Sequence, residues 1–344
     1  MSGDFTWLDA GRTVVFRRGG VVGAVEVLRE QGVGEFELLS TERALGEAPG
    51  LAEAANGVHL VAHGQVPAAA AALLDALSPP HDAGKGARVR PLVALGGGRV
   101  VDGAKAVAAV SGAEVVAIPT TLSGAPMTAI HRLPEGAEER AQGMVRPSLV
   151  VADPEAMTGQ GERELRASAM NALAHGADTL YVPGSNPLSE MTALRGAELI
   201  GSALDEERAE RDRGSLALGA ILCGYAIDSA GFGLHHLICQ TLVRICGTPH
   251  AETNAAILPR AMAFMEPRAP DAIGALADAI GAESGAIEAR ILNLGGDPAG
   301  LGEVGADRGK LDEALDAMLQ RPELAFNPQP PTRPELAEMI ERAW

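Results

Sequence analysis

Cysteine is scarce in this chain: only Cys223, Cys239 and Cys246 are present. An odd number without CxxC spacing supports neither a disulfide framework nor a structural zinc finger. Cys239 and Cys246, seven apart on one predicted helix face, read as core fillers. Positive charge is short as well: Lys+Arg 28 against Asp+Glu 45 leaves a net charge of −17. Such a field repels phosphate backbones and anionic bilayers, so neither nucleic acid nor membrane is an expected partner. No stretch approaches the ~20 apolar residues that span a bilayer. The opening Met1–Trp7 carries acid and aromatic residues without an apolar signal core, and a cytoplasmic location is expected. Internal repeats are lacking too. What is present is ordinary for a globular protein: 344 residues, 47% hydrophobic and 21% charged, enough for two domains with a large core.

Over the first 150 residues, short apolar runs alternate with alanine-rich amphipathic segments, the pattern of βαβ units building a parallel sheet. Strands are predicted over Thr13–Phe16, Phe36–Leu39, His59–Ala62, Leu92–Leu95 and Val115–Ile118, with Pro67–Leu77 as a scaffold helix. Ligands of open parallel sheets gather at the C-terminal strand ends. Ser40-Thr41, His63-Gly64, Gly96-Gly97-Gly98 and Thr120-Thr121 should therefore ring one crevice. The segment Pro134–Pro147 reads as an exposed hairpin or loop. After Leu149–Pro154 strand signals stop, and helices are predicted over 161–182, 187–205, 214–229, 234–246 and 249–266. Thr248 and Pro249 suit the N-cap and N1 positions of the last of these. An α/β domain over 1–155 followed by an all-α domain over 156–344 is expected.

The glycine triplet follows a strand and precedes a helix predicted to begin near Val100, where backbone N–H groups and the helix dipole can cradle a pyrophosphate. The GxGxxG fingerprint is absent, and tight βα turns use glycine for steric reasons alone. Asp102 and Lys105, in the following helix, could touch a cofactor or decorate its exposed face. Thr120, Thr121 and Ser123 suit hydrogen bonding to a ribose or phosphate, or form a hydroxyl-rich turn. Their position beside the triplet favours binding.

Three of the eight histidines, His235, His236 and His250, fall within sixteen residues. Upstream, Asn171 and His175 are four apart and share a helix face. Together they outline a pocket able to hold a metal or polarise a carbonyl. Neutral imidazoles are good ligands for Zn²⁺ or Fe²⁺. Asn171 contributes only a neutral oxygen, which lowers metal affinity or hydrogen-bonds a substrate instead.

Taken jointly, these motifs resemble the iron-containing alcohol dehydrogenase family, with its dehydroquinate synthase-like fold, and within it the maleylacetate reductase-like branch. The likeness spans nearly the whole length. It rests on Thr13–Phe16, Gly96-Gly97-Gly98-(x3)-Asp102-(x2)-Lys105, Pro119-Thr120-Thr121-(x2)-Gly124-(x2)-Met127-Thr128, Asn171-(x3)-His175, Gly233-Leu-His235-His236, Pro249-His250-Ala-Glu-Thr253 and Asn327-Pro328. The resemblance implies a Rossmann-like nucleotide-binding domain, a helical domain, NADH or NADPH in the cleft between them, and a homodimer. Matching motif by motif, the family's Fe²⁺ or Zn²⁺ ligands fall on Asn171, His175, His236 and His250. Gly96 to Gly98, Asp102, Thr120, Thr121, Ser40 and Thr41 would hold the cofactor. Ser40-Thr41, followed by Glu42 and Arg43, leaves the choice of dinucleotide open.

The chain departs from the family at three positions. Gln240 replaces a histidine four residues after His236, and Leu237 and Gln329 stand where the branch carries cations. The expectation is an NAD(P)H-dependent reductase delivering hydride to the ketone of a small oxygenated acid. His236 and His250 would polarise the carbonyl, His175 and Asn171 would complete the wall, and His235 would be a reserve proton donor. A dehydroquinate synthase-like lyase or cyclase with retained NAD is one alternative, weakened by the single lysine, Lys310, of the helical half. A diverged ligand-binding protein without turnover is the other, motivated by Gln240 and Gln329.

Overall fold

The computed structural model of the protein describes residues 11–77 and 89–344; Met1–Trp7, read above for the lack of a signal core, lies outside them. The described residues fall into two compact units, one ending at Gly159 and one running from Gln160 to Trp344. The break comes four residues after the expected boundary at 155.

The first unit is built on six strands: β1 (Thr13–Phe16), β2 (Glu37–Ser40), β3 (Gly57–Leu60), β4 (Leu92–Gly96), β5 (Val115–Pro119) and β6 (Leu149–Ala152). All pair in parallel, in the order β1-β6-β5-β4-β2-β3. β4, β5 and β6 are buried along their whole length, which explains their uninterrupted apolar sequences. Leu149–Ala152, which served only as a boundary marker in the sequence, is thus a central strand. The edge strands differ. β3 begins two residues before its predicted start, because Asn56 fixes the register by pairing with both the N–H and the C=O of Phe36. Its half-exposed residues give little hydrophobic signal.

The helices of this unit are α1 (Ala24–Glu30), α2 (Glu42–Glu47), α3 (Pro49–Ala54), α4 (Val66–Leu77), α5 (Gly98–Ser111) and α6 (Pro154–Met157). Leu28 and Leu51 pack with Phe36, Leu38, Leu95, Ile118 and Val151 of the sheet in one core. In-register pairing of Ser40 with Leu95, and of Gly96 with Pro119, brings the ends of β2, β4 and β5 level. The segment Pro134–Pro147 forms no hairpin; its regular structure is one 3-10 turn at Glu138–Arg140.

The second unit is helical: α7 (Glu162–Thr179), α8 (Pro187–Asp205), α9 (Arg213–Ala230), α10 (Leu234–Ile245), α11 (His250–Met265), α12 (Pro270–Ala279), α13 (Ile287–Gly295), α14 (Leu311–Leu319) and α15 (Arg333–Glu341). No single described helix is long and apolar enough to cross a membrane. α7 is its central rod, buried from Ala167 to Thr179 without a break. Helices α8 and α9 approach closely where small residues meet: a Cβ on Gly196 would lie 2.9 Å from the Gly219 carbonyl and 2.5 Å from Cys223 Sγ. Pro249, not Thr248, is the N-cap of α11, so the expected hydroxyl cap is absent and Thr248 Oγ1 is buried without a partner. Between α9 and α10 the chain bends by 96°.

Candidate active site

In the first unit, a pocket of about 750 Å³ opens at the C-terminal strand ends, lined by Thr41, Arg43, His63, Gly97, Gly98, Arg99, Thr120 and Thr121 among others. Helix α5 starts here at Gly98, two residues before the expected Val100. Its N-cap, Gly97, offers no side chain, and no acid occupies its first turn. Uncapped N–H groups and a positive dipole end suit an anion. Side chains at the three glycines would crowd their neighbours, least at Gly97. A Cβ would lie 2.6 Å from Val100 Cγ2 at Gly96, 3.1 Å from Thr121 Cγ2 at Gly97, and 2.5 Å from Ser123 Oγ at Gly98. These groups fit a nucleotide phosphate.

Three side chains here take other roles than expected. Ser40 is fully buried and its Oγ donates to the Leu95 carbonyl at 2.8 Å, so it braces the sheet rather than facing a ligand. Thr41 Oγ1 accepts the Ala44 N–H and N-caps α2. Lys105 neither decorates a surface nor lines the pocket: it is completely buried, and its Nζ donates to the carbonyls of Ala125, Thr128 and Ile130 at 2.8 to 3.0 Å. Asp102 is its ion-pair partner at 2.8 Å. The pair anchors the chain that leaves Thr120–Ser123.

In the second unit, α7 and α10 bring His175 and His236 together with ring centroids 4.8 Å apart and an interplanar angle of 19°. Asn171 lies one turn before His175 on α7. Asn171 Oδ1, His175 Nδ1 and His236 Nε2 are all buried without a hydrogen-bond partner. Burial, reinforced by the neighbouring His236, holds the His175 imidazole well below its usual range and hence neutral. His250, at the first position of α11, is exposed. It stands close enough for its charge to bear on His175 and His235.

His235 is not a proton donor in this arrangement. Its Nε2 meets the Asn254 carbonyl at 3.2 Å and its Nδ1 meets His236 Nδ1 at 3.3 Å, so both nitrogens are committed. Burial, foremost, drives its pKa down to about 3.

Sequence reading missed Asp178, which is wholly buried. Its carboxylate accepts the N–H groups of Gly233 at 2.9 Å and His236 at 3.1 Å, the Tyr181 hydroxyl, and His236 Nδ1 at 2.8 Å. Burial pushes this carboxyl up, but bonding to His236 and the neighbouring imidazoles outweigh it and hold the pKa at about 2. Gly233 is needed at the turn because a Cβ there would lie 2.6 Å from the Tyr181 ring. The spacing of Asn171, His175 and Asp178, at i, i+4 and i+7, was the available signal. Asp178, His235 and His236 are the one group of potential ligand atoms within 4.8 Å of one another among the described residues. Those atoms already bond each other, so the unpartnered set is the better metal candidate.

A second missed residue is Arg321. Its guanidinium lies 5.5 Å from the centre of the Phe232 ring, donates to Gln240 Oε1 at 2.9 Å and pairs with Glu323. Phe232 in turn packs tilted on His236 at 6.4 Å. A cation thus stands beside the histidine wall although Leu237 and Gln329 carry none. Gln329 follows the Asn327-Pro328 pair with φ +48°, in the left-handed region.

The donor set fits a divalent cation: an amide oxygen and imidazole nitrogens, three of these atoms buried without a hydrogen-bond partner. Residues 166–344 match the Fe-containing alcohol dehydrogenase family, C-terminal, and residues 52–154 match iron-containing alcohol dehydrogenase. The maleylacetate reductase of Rhizobium sp. (strain MTP-10005) is 31% identical, over 99% of this chain and 97% of that protein. That of Burkholderia cepacia is 33% identical over 73% of each. The crystal structure of maleylacetate reductase from Agrobacterium tumefaciens aligns with a TM-score of 0.83 at 29% identity, over 99% of this chain and 98% of that one. The chain belongs to the iron-containing alcohol dehydrogenase family, in its maleylacetate reductase-like branch, and is an NAD(P)H-dependent reductase.

Proposed function

We propose that the protein reduces the ketone of a small oxygenated acid of the maleylacetate kind, with a divalent metal, Fe²⁺ or Zn²⁺, at Asn171, His175 and His236. The observation that carries this reading is that Asn171 Oδ1, His175 Nδ1 and His236 Nε2 are all buried without a hydrogen-bond partner. With His236 Nδ1 bonded to Asp178, its Nε2 is an acceptor and cannot by itself donate to a carbonyl oxygen. A wall of acceptors suits a cation.

Bound metal supplies Lewis-acid polarisation of the ketone, and bound dihydronicotinamide supplies the hydride. The Gly97–Gly98 turn and the start of α5 hold the dinucleotide phosphates, with Thr120 and Thr121 beside them. Arg321 recognises a substrate carboxylate, sharing it with the Gln240 amide. His250, exposed at the first turn of α11, is the fourth candidate ligand and the group open to exchange protons with solvent. Glu42, Arg43 and Arg99 all line the pocket, and their opposing charges just past β2 admit either NADH or NADPH.

Titrating the protein with NADPH and with NADH by fluorescence, then adding maleylacetate with and without Zn²⁺ or Fe²⁺, tests the reading. Saturable binding and metal-stimulated oxidation of the nucleotide are expected. Absence of saturable binding by either nucleotide overturns it.

A further inference from the structure

Asp178 is more than a buried helix cap. A wholly buried carboxylate persists only if its lone pairs are filled, and every donor on Asp178 belongs to the turn just after α7, to the turn before α10, or to the first residues of α10. It therefore fixes where α10 starts. The same Oδ2 that accepts the His236 N–H at 3.1 Å also meets His236 Nδ1 at 2.8 Å, so helix start and ring orientation depend on one oxygen.

The groups around Nδ1 dictate where the proton sits. An ionised carboxylate offers only acceptors. The other neighbour, His235 Nδ1 at 3.3 Å, is an acceptor too, because the Asn254 carbonyl at 3.2 Å requires the proton of His235 on Nε2. Two acceptors facing one nitrogen require a proton on it. His236 is consequently the Nδ1–H tautomer, and its lone pair lies on Nε2, the buried atom without a protein partner. Carboxylate-to-imidazole bonds of this sort orient ligands and raise their basicity.

We propose that Asp178 is the positioning residue of this site, fixing the His236 tautomer and ring so that Nε2 presents a lone pair beside His175 and Asn171. The inference rests on the reductase reading for its purpose, but not for its test. Histidine-selective ¹⁵N labelling of the chelator-treated full chain, without nucleotide or substrate, reports the tautomer directly. The expected spectrum shows His236 protonated on Nδ1. Asp178→Asn keeps an acceptor oxygen at the Oδ2 place, where the N–H groups of Gly233 and His236 demand one, but removes the charge, so the tautomer should stay while the ring loses basicity. Zn²⁺ affinity, measured by competition with a chromophoric chelator, should fall about 10- to 100-fold, the usual effect of losing such a partner. Asp178→Glu should restore part of the affinity. Tyr181→Phe removes a different donor from the same carboxylate, and should leave the tautomer unchanged. A wild-type His236 protonated on Nε2 overturns the inference. So does an Asp178→Asn protein that keeps Zn²⁺ affinity within about twofold. If Asp178→Asn does not fold, the wild-type spectrum decides alone.

Discussion

Gly98 faces Ser123 so closely that a methyl group on it would lie 2.5 Å from Oγ and 3.2 Å from Cβ. Gly98→Ala should therefore push the hydroxyl turn outward and weaken dinucleotide binding, by about tenfold for a disturbance of about 1.4 kcal/mol. Ser123→Gly in the same chain should recover much of the loss. Fluorescence titration with NADPH checks both, and an unaltered Kd for Gly98→Ala would show that this turn does not touch the nucleotide.

Lys105→Met should rank among the more destabilising single changes in the first unit. It strands the carbonyls of Ala125, Thr128 and Ile130, at about 1 to 3 kcal/mol for each buried group left unsatisfied. Asp102→Asn should cost less, because Asp102 is partly exposed and the ammonium keeps its carbonyl partners. Urea unfolding of the two variants gives the order, and equal midpoints would contradict it.

Acid should attack the second unit through Glu162. Arg211, itself buried, holds this carboxylate through two bonds at 2.8 and 2.9 Å, and with Arg166 lowers its pKa from 4.5 to about 2. A depressed carboxyl stabilises the fold in full above pH 4.5, and that contribution drains away as pH falls towards 2. Glu162→Gln should lower stability at neutral pH by about 2 kcal/mol, less than for a fully dry pair. It should also flatten this part of the pH profile. Thermal melts from pH 7 to pH 2 would show the two curves converging.

His131 links pH to the segment that follows it. Its Nε2 accepts the Val145 N–H at 3.1 Å, which a neutral ring alone can do, and burial first of all lowers its pKa. The bond's contribution is complete above 6.5 and is lost as pH falls through the lowered value. Hydrogen exchange at Val145 should accelerate in acid beyond its intrinsic pH dependence, and His131→Gln should shift that onset. Identical protection in both proteins would refute the link.

Strands β4 and β5 were legible because they are buried on both faces and write their burial as continuous apolar runs; β6 carries the same kind of run but was read only as a boundary. The edge strand β1 was placed correctly despite its exposure, whereas β3, half wet and without a continuous apolar run, was misplaced by two residues. The histidine wall was legible through clustering of a rare residue type. Asp178 was not, since a lone acid late in a helix usually faces water, and only the path of α10 over its carboxylate makes it internal. Lys105 escaped for the mirror reason: its carbonyl partners lie 20 to 25 residues ahead, in a stretch without periodicity. Arg321 is remote in sequence from the residues it joins, and no local pattern announces it.

The 96° bend before α10 makes this histidine wall intolerant of length changes. Inserting one residue between Gly233 and His236 would swing everything downstream about 100° around the helix axis. His236 would leave its carboxylate and take the place of a neighbour facing another direction. This corner thus admits substitutions only at a fixed count of residues, and grafting it onto another helical scaffold requires copying its bend together with its side chains.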